Sequence, residues 1–97
     1  MRISRTRYFT ESVRRLDGSE RHLVLKAVRK LELSNQWLGK RMHGDLHIAR
    51  SLRTGHKNRL RIVYLEREGT GLLLVVGERK DLRVYSRAAQ ILKELGL

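Results

Sequence analysis

Two arginines and a tyrosine are the residues of this chain best suited to do chemistry. Arg59-Leu60-Arg61-Ile62-Val63-Tyr64 reads as a strand, and Gly77-Glu78-Arg79 closes a second strand before Tyr85 opens a helix. Adjacent strands can then bring Arg61, Arg79 and Tyr85 to one point. Guanidinium groups clamp phosphate oxygens in a two-pronged geometry, and a phenol hydrogen-bonds or accepts a proton. The set suits a phosphodiester. On spacing alone, Arg61 is equally a strand arginine paired with Glu66 or Glu78. The alternative reading of Arg79 is a solvated turn residue, and that of Tyr85, the commoner case for such a residue, is a half-buried cover of the core.

The elements that must position these groups follow from periodicity. Residues 1–8 are basic and short enough for an edge strand. Phe9, Val13 and Leu16 recur at helical spacing, and Asp17-Gly18-Ser19 breaks that helix and offers Ser19 as the N-cap of the next. Val24, Ala27, Val28 and Leu31 line one face of the second helix, with Arg21, Lys26, Arg29 and Lys30 outside. Residues 35–44 read as a loop whose Trp37 and Leu38 pack against the helices. From Asp45 the period changes to two: Leu46, Ile48 and Leu52 point one way, and His47, Ala49, Ser51 and Arg53 the other. Thr54 to Asn58 makes a hairpin connection. The next strand places Leu60, Ile62 and Tyr64 opposite Arg59, Arg61, Val63 and Leu65. Leu72 to Val76 is continuously apolar, as a central strand covered on both faces should be. Tyr85 to Leu95 is helical, with Ala88, Ala89, Leu92 and Leu95 on one stripe. The sum is α+β: an antiparallel sheet of three to four strands, an N-terminal helical hairpin and a C-terminal helix.

Composition bounds the rest. The 97 residues make one domain, near the size where a core buries roughly 60–65% of the unfolded surface. With no cysteine there are no disulfides and no thiolate metal sites, which suits a reducing compartment. No leader-like apolar stretch is present and no run approaches the ~18 residues of a spanning helix, so a cytoplasmic protein without membrane contact is expected. The net charge is +12, which calls for an anionic partner. Between Asn35 and Arg61, seven cations (Lys40, Arg41, Arg50, Arg53, Lys57, Arg59 and Arg61) face only Asp45, half of the total excess in about a quarter of the chain. His22, His43, His47 and His56 make no metal-ligand pattern and read as surface residues. Gly39, Gly44 and Gly55 make no phosphate-cradling loop. No cofactor is expected.

The ordered series Ser51-Leu52-Arg53, Arg61-Ile62-Val63-Tyr64, Val75-Val76-Gly77-Glu78-Arg79 and Val84-Tyr85 resembles the RelE/ParE superfamily of toxins from type II toxin–antitoxin modules. The resemblance covers most of the chain and implies a single toxin domain over residues 1–97. RNA-cleaving members carry an arginine just before the Ile/Leu-Val-Tyr of this strand, which gives Arg61 a phosphate contact. It likewise implies that Arg79 assists the scissile phosphate and leaving group, and that Tyr85 is the catalytic tyrosine.

The chain also departs from the family pattern. Ala49 and Ser51 stand where the RNA-cleaving members have lysines, with Arg50 and Arg53 nearby. Arginine does not readily give up a proton and cannot replace lysine as a base. Glu78 is then a candidate proton acceptor or equally a salt-bridge partner of Arg79, and His47 is the second candidate acceptor, while Lys40, Arg41, Arg50, Arg53, Lys57 and Arg59 track the RNA backbone. The implied activity is metal-independent cleavage of mRNA by 2′-hydroxyl attack, with the ribosome positioning the codon. The alternative within the superfamily is a ParE-type gyrase poison without nuclease chemistry; a third reading is a nucleic-acid binder without catalysis. Either toxin implies an acidic antitoxin, for which the last helix is a docking or displaced element if it is not simply packed on the sheet.

Overall fold

The period-two stretches become a five-stranded sheet of order β1-β5-β4-β3-β2, in a computed structural model that describes every residue from Met1 to Leu97. The strands are β1 (Arg2–Arg5), β2 (Lys40–Arg41), β3 (Ala49–Thr54), β4 (Leu60–Arg67) and β5 (Thr70–Glu78). Three helices accompany them: α1 (Arg7–Arg14), α2 (Gly18–Leu33) and α3 (Arg83–Glu94). Strands β2 to β5 pair antiparallel, whereas β1 lies parallel to β5. The expected three to four antiparallel strands are therefore five, in a mixed sheet. β1 closes the outer edge of β5, whose unpaired backbone groups would otherwise face water. β2 is only two residues long and lies in the segment read as a loop; it is too short to leave a periodic signal.

Strand parity sorts the core into two layers. Leu60, Ile62, Tyr64, Leu73 and Val76 pack with Phe9 of α1 and with Val24, Val28 and Leu31 of α2. On the other face Ala49, Val63, Leu65, Leu74 and Val75 pack under Val84, Ala88, Ile91 and Leu92 of α3. α3 is thus a packed element of this structure. The register shifts between Val63 and Tyr64, whose partners are Val75 and Leu73. Leu74 is the extra residue of this bulge, which explains how an unbroken apolar run feeds both layers. Trp37 tilts against Tyr64, ring centroids 6.2 Å apart. The Tyr64 hydroxyl donates to the Leu38 carbonyl, and burial pushes its pKa up to about 12.

α2 starts two residues earlier than its sequence suggests. Asp17, not Ser19, is the N-cap; it accepts the Glu20 N–H at 2.8 Å and the Ser19 hydroxyl at 2.9 Å. Those bonds hold its carboxyl below the usual range. β3 also begins later than the alternation implied. Leu46 lies in a short turn at Gly44–Leu46 and joins the α3 layer, while Leu52 packs in the layer of α1 and α2. The two leucines expected on one face are on opposite sides. No helix is long and apolar enough to cross a membrane.

Candidate functional site

A cleft of about 590 Å³ opens on the α3 side of the sheet, where β2, β3, β4 and the end of β5 converge. Five of its eleven lining residues are Lys40, Arg41, Arg53, Arg61 and Arg79, and none is acidic. The register explains the convergence. Arg53 on β3 stands directly opposite Arg61 on β4, and Arg61 is opposite Gly77 on β5. Cross-strand partners project from the same face, so the two guanidinium-bearing side chains are neighbours, and like charges placed so are destabilising. Gly77 has no side chain to fill the space beside them. Arg79 follows two residues later, beyond the strand, with its backbone N–H bound to the Arg59 carbonyl at 3.0 Å.

Neither expected alternative pairing of Arg61 is present. Its guanidinium donates to the carbonyls of Asn58 and, at 3.0 Å, Leu60. The ion pairs of the molecule are Glu20 with His56 and Arg59, and Arg87 with Glu94. No acidic side chain pairs with a cation of the cleft. Tyr85, half-buried at the start of α3, completes the wall; its hydroxyl lies 3.2 Å from Ser51 Oγ. Ser51 is itself buried on β3, so the phenol is held at the cleft margin by a rigid strand.

Sequence reasoning thus finds Arg61, Arg79, Tyr85, Arg53, Lys40 and Arg41 in one place. Five other expected residues are elsewhere. Glu78 pairs with Leu60 in the ladder and so projects from the α1–α2 face, away from the cleft. His47 is not on the face of β3 with Ala49 and Ser51; it follows the Gly44–Leu46 turn, where its Nδ1 lies 3.0 Å from the Gly44 carbonyl. Arg50 faces the side opposite Arg53 and donates to the Gly39 carbonyl at 3.3 Å. Lys57 is exposed in the hairpin turn. Arg59 turns toward Glu20.

One lining residue was read only as surface, namely His43. It lies just beyond β2, and only the pairing of Lys40 with Ser51 and Arg41 with Arg50 brings its segment to the cleft. Gly39 permits that approach. Its φ is +93° and a Cβ there would sit 2.6 Å from the Ser51 carbonyl oxygen, a position that only glycine fills without strain. No three His, Asp or Glu side chains come together as a metal-binding group.

The cleft can bind a multiply charged anion through five cations, and it offers imidazole, ammonium and phenol groups for proton exchange. Among solved structures, the chain is similar to the crystal structure of the isolated RelE toxin of E. coli. The match covers 92% of this chain and 95% of that one, with 16% sequence identity and a TM-score of 0.65. No protein-family model matches the sequence, and no curated protein matches it. The fold is RelE-like.

Proposed function

We propose that this RelE-like fold is the toxin of a type II toxin–antitoxin module and cleaves mRNA at the cleft of Arg53, Arg61, Arg79 and Tyr85. The observation that carries the reading is the Arg53–Arg61 pair: two cations opposed across adjacent strands, with no acid beside them, ask for an anion to bridge them. RNA supplies both the phosphate and its own nucleophile, the 2′-hydroxyl. The protein then has to orient that hydroxyl, take its proton, stabilise the phosphorane and protonate the departing 5′-oxygen.

In this scheme Arg61 and Arg79 neutralise the equatorial oxygens, each well-aimed donor contributing ~3–4 kcal/mol in the transition state. Tyr85, steadied by Ser51, orients the 2′-hydroxyl. His43 replaces Glu78 and His47 as the proton acceptor, since it lines the cleft and they do not. The bond from phosphorus to O5′ breaks as the bond to O2′ forms, and Lys40 gives the proton that O5′ needs. The products are a 2′,3′-cyclic phosphate and a 5′-hydroxyl. Ribosome-bound message is the proposed substrate, as the resemblance to the RNA-cleaving toxins of the superfamily implies. An acidic antitoxin is the proposed inhibitory partner, matched to the +12 chain.

The test is a purified translation mixture programmed with one message. Cleavage that leaves a 5′-hydroxyl and a cyclic phosphate, and that persists on chelating free divalent ions after initiation complexes are fixed, supports the scheme. Intact message together with gyrase-dependent DNA breaks would replace it with the ParE-type reading.

A further inference from the structure

The turn joining β3 to β4 lies between a buried carboxylate and the two cleft arginines. Glu20, in the first turn of α2, is 1% exposed. Its Oε1 accepts the His56 backbone N–H at 3.2 Å and lies 3.5 Å from Arg59 Nη2 and 3.6 Å from His56 Nε2. Two further contacts tie the same elements: Ser19 Oγ is 3.1 Å from the His56 ring, and the Thr54 hydroxyl donates to the Leu23 carbonyl at 3.2 Å. The second carboxylate oxygen, Oε2, has no hydrogen-bond partner. A Cβ on Gly55 would come within 2.6 Å of it. A buried, half-satisfied carboxylate is costly, and stability is a weak reason to keep one.

The other side of the turn shows what the carboxylate holds. The carbonyls of Asn58 and Leu60 receive the Arg61 guanidinium, and the carbonyl of Arg59 receives the Arg79 backbone N–H. Three consecutive carbonyls thus set both arginines, and the middle one belongs to the residue paired with Glu20. Lys57 and Asn58 sit at φ 54° and 55°, in the left-handed region that side chains disfavour. A turn so built needs an outside anchor. We infer that Glu20 is a positioning residue for the cleft: by gripping His56 and Arg59 from α2, it fixes the carbonyls that aim Arg61 and seat Arg79.

The experiment compares wild type with Glu20→Ala, Glu20→Asp and Glu20→Gln. The control is Val28→Ala, a core truncation about two turns along the same helix, in the layer that also holds Leu60 but apart from the contacts of Glu20 with His56 and Arg59. One readout is the NMR position of the Arg61 Nε–H and the Arg79 backbone amide. The other is affinity for a 2′-O-methyl RNA tetranucleotide of mixed sequence, which cannot be cleaved; this arm alone rests on the proposed RNA-binding role.

Asp keeps the charge but is too short to reach His56 and Arg59 together, so it decides the matter if the Ala variant does not fold. Ala and Asp should shift both resonances and weaken the tetranucleotide about tenfold, while Gln, which keeps the acceptor for His56, stays within about threefold. Val28→Ala should move neither readout. Glu20→Asp with both resonances at their wild-type positions, or Val28→Ala weakening binding as much, would overturn the inference. If wild-type affinity is insensitive to Arg61→Ala, the RNA reading fails, and the two resonances still decide the role of Glu20.

Discussion

Arg53 and Arg61 face one another across β3 and β4, while every ion-paired arginine of the molecule lies outside the cleft. Unpaired cations in a concave wall are what a phosphate-handling site requires, and what a structural network would avoid. The proton acceptor separates the residues more sharply. His43→Gln should slow cleavage by about 10²-fold or more, the scale of a lost general base. Glu78→Gln and His47→Ala should leave the rate within about twofold, because neither side chain reaches the cleft. Single-turnover cleavage of a ribosome-bound message measures all three. Arg61 and Arg79 were legible in the sequence because strand parity and strand ends are local properties. His43 was not, because its place depends on how the fifteen-residue connection from α2 returns to β3.

At the scale of elements, the connection between Arg79 and Tyr85 sets the cleft's far wall. Asp81 and Leu82 have φ 62° and 57°, and Leu82 is the N-cap of α3 without a side-chain cap bond. Leucine in the left-handed region with half its surface exposed is a poor cap. Leu82→Asn, which tolerates that backbone and can cap, should stabilise the protein by about 0.5–1 kcal/mol in urea unfolding. A loss of stability would mean that the leucine packs more than its exposure implies.

The sheet shows where sequence pattern fails. Alternation of Leu46 and Ile48 continues that of β3, yet a tight turn produces it, and only Leu46 is buried. The parity of residues 45–48 therefore carried His47 to the wrong place. β4 and β5 were readable because their apolar runs are long enough to fix register, and the bulge at Leu74 was not, since it changes pairing without changing composition.

Over the whole molecule, two layers and one charge sign dominate. Tyr64 is the pivot of the α1–α2 layer, with no exposed surface and a pKa raised from 10.0 to about 12. A raised folded-state pKa means that the unfolded chain loses its proton first as pH rises. The Tyr64 contribution to stability should be constant below pH about 10 and fall between about 10 and 12. Urea midpoints across that window should decline in wild type and decline less in Tyr64→Phe, which itself costs about 1 kcal/mol at neutral pH for the lost Leu38 bond. An equal alkaline decline in both would assign the effect to other groups.

The charge makes its own prediction. If the five cleft cations each neutralise one phosphate, log affinity for single-stranded RNA should fall with log salt at a slope of about −3.5. Fluorescence anisotropy gives the slope; a value near zero would place the contact away from the cleft. A positive net charge is plain from composition alone, while the clustering of cations in one cleft becomes visible only when the register puts Arg53 opposite Arg61.

On the proposed function, the cleft cuts RNA in translated messages. Brief expression of the chain and of its Arg79→Ala variant, followed by transcriptome-wide mapping of RNA 5′ ends, tests it most directly. Removing one donor to the developing charge should lower cleavage by about 10²–10³-fold, so wild type should arrest growth and create new 5′ ends within codons that the variant lacks. Growth arrest with intact messages, or identical ends in both, would rule out RNA cleavage at this cleft.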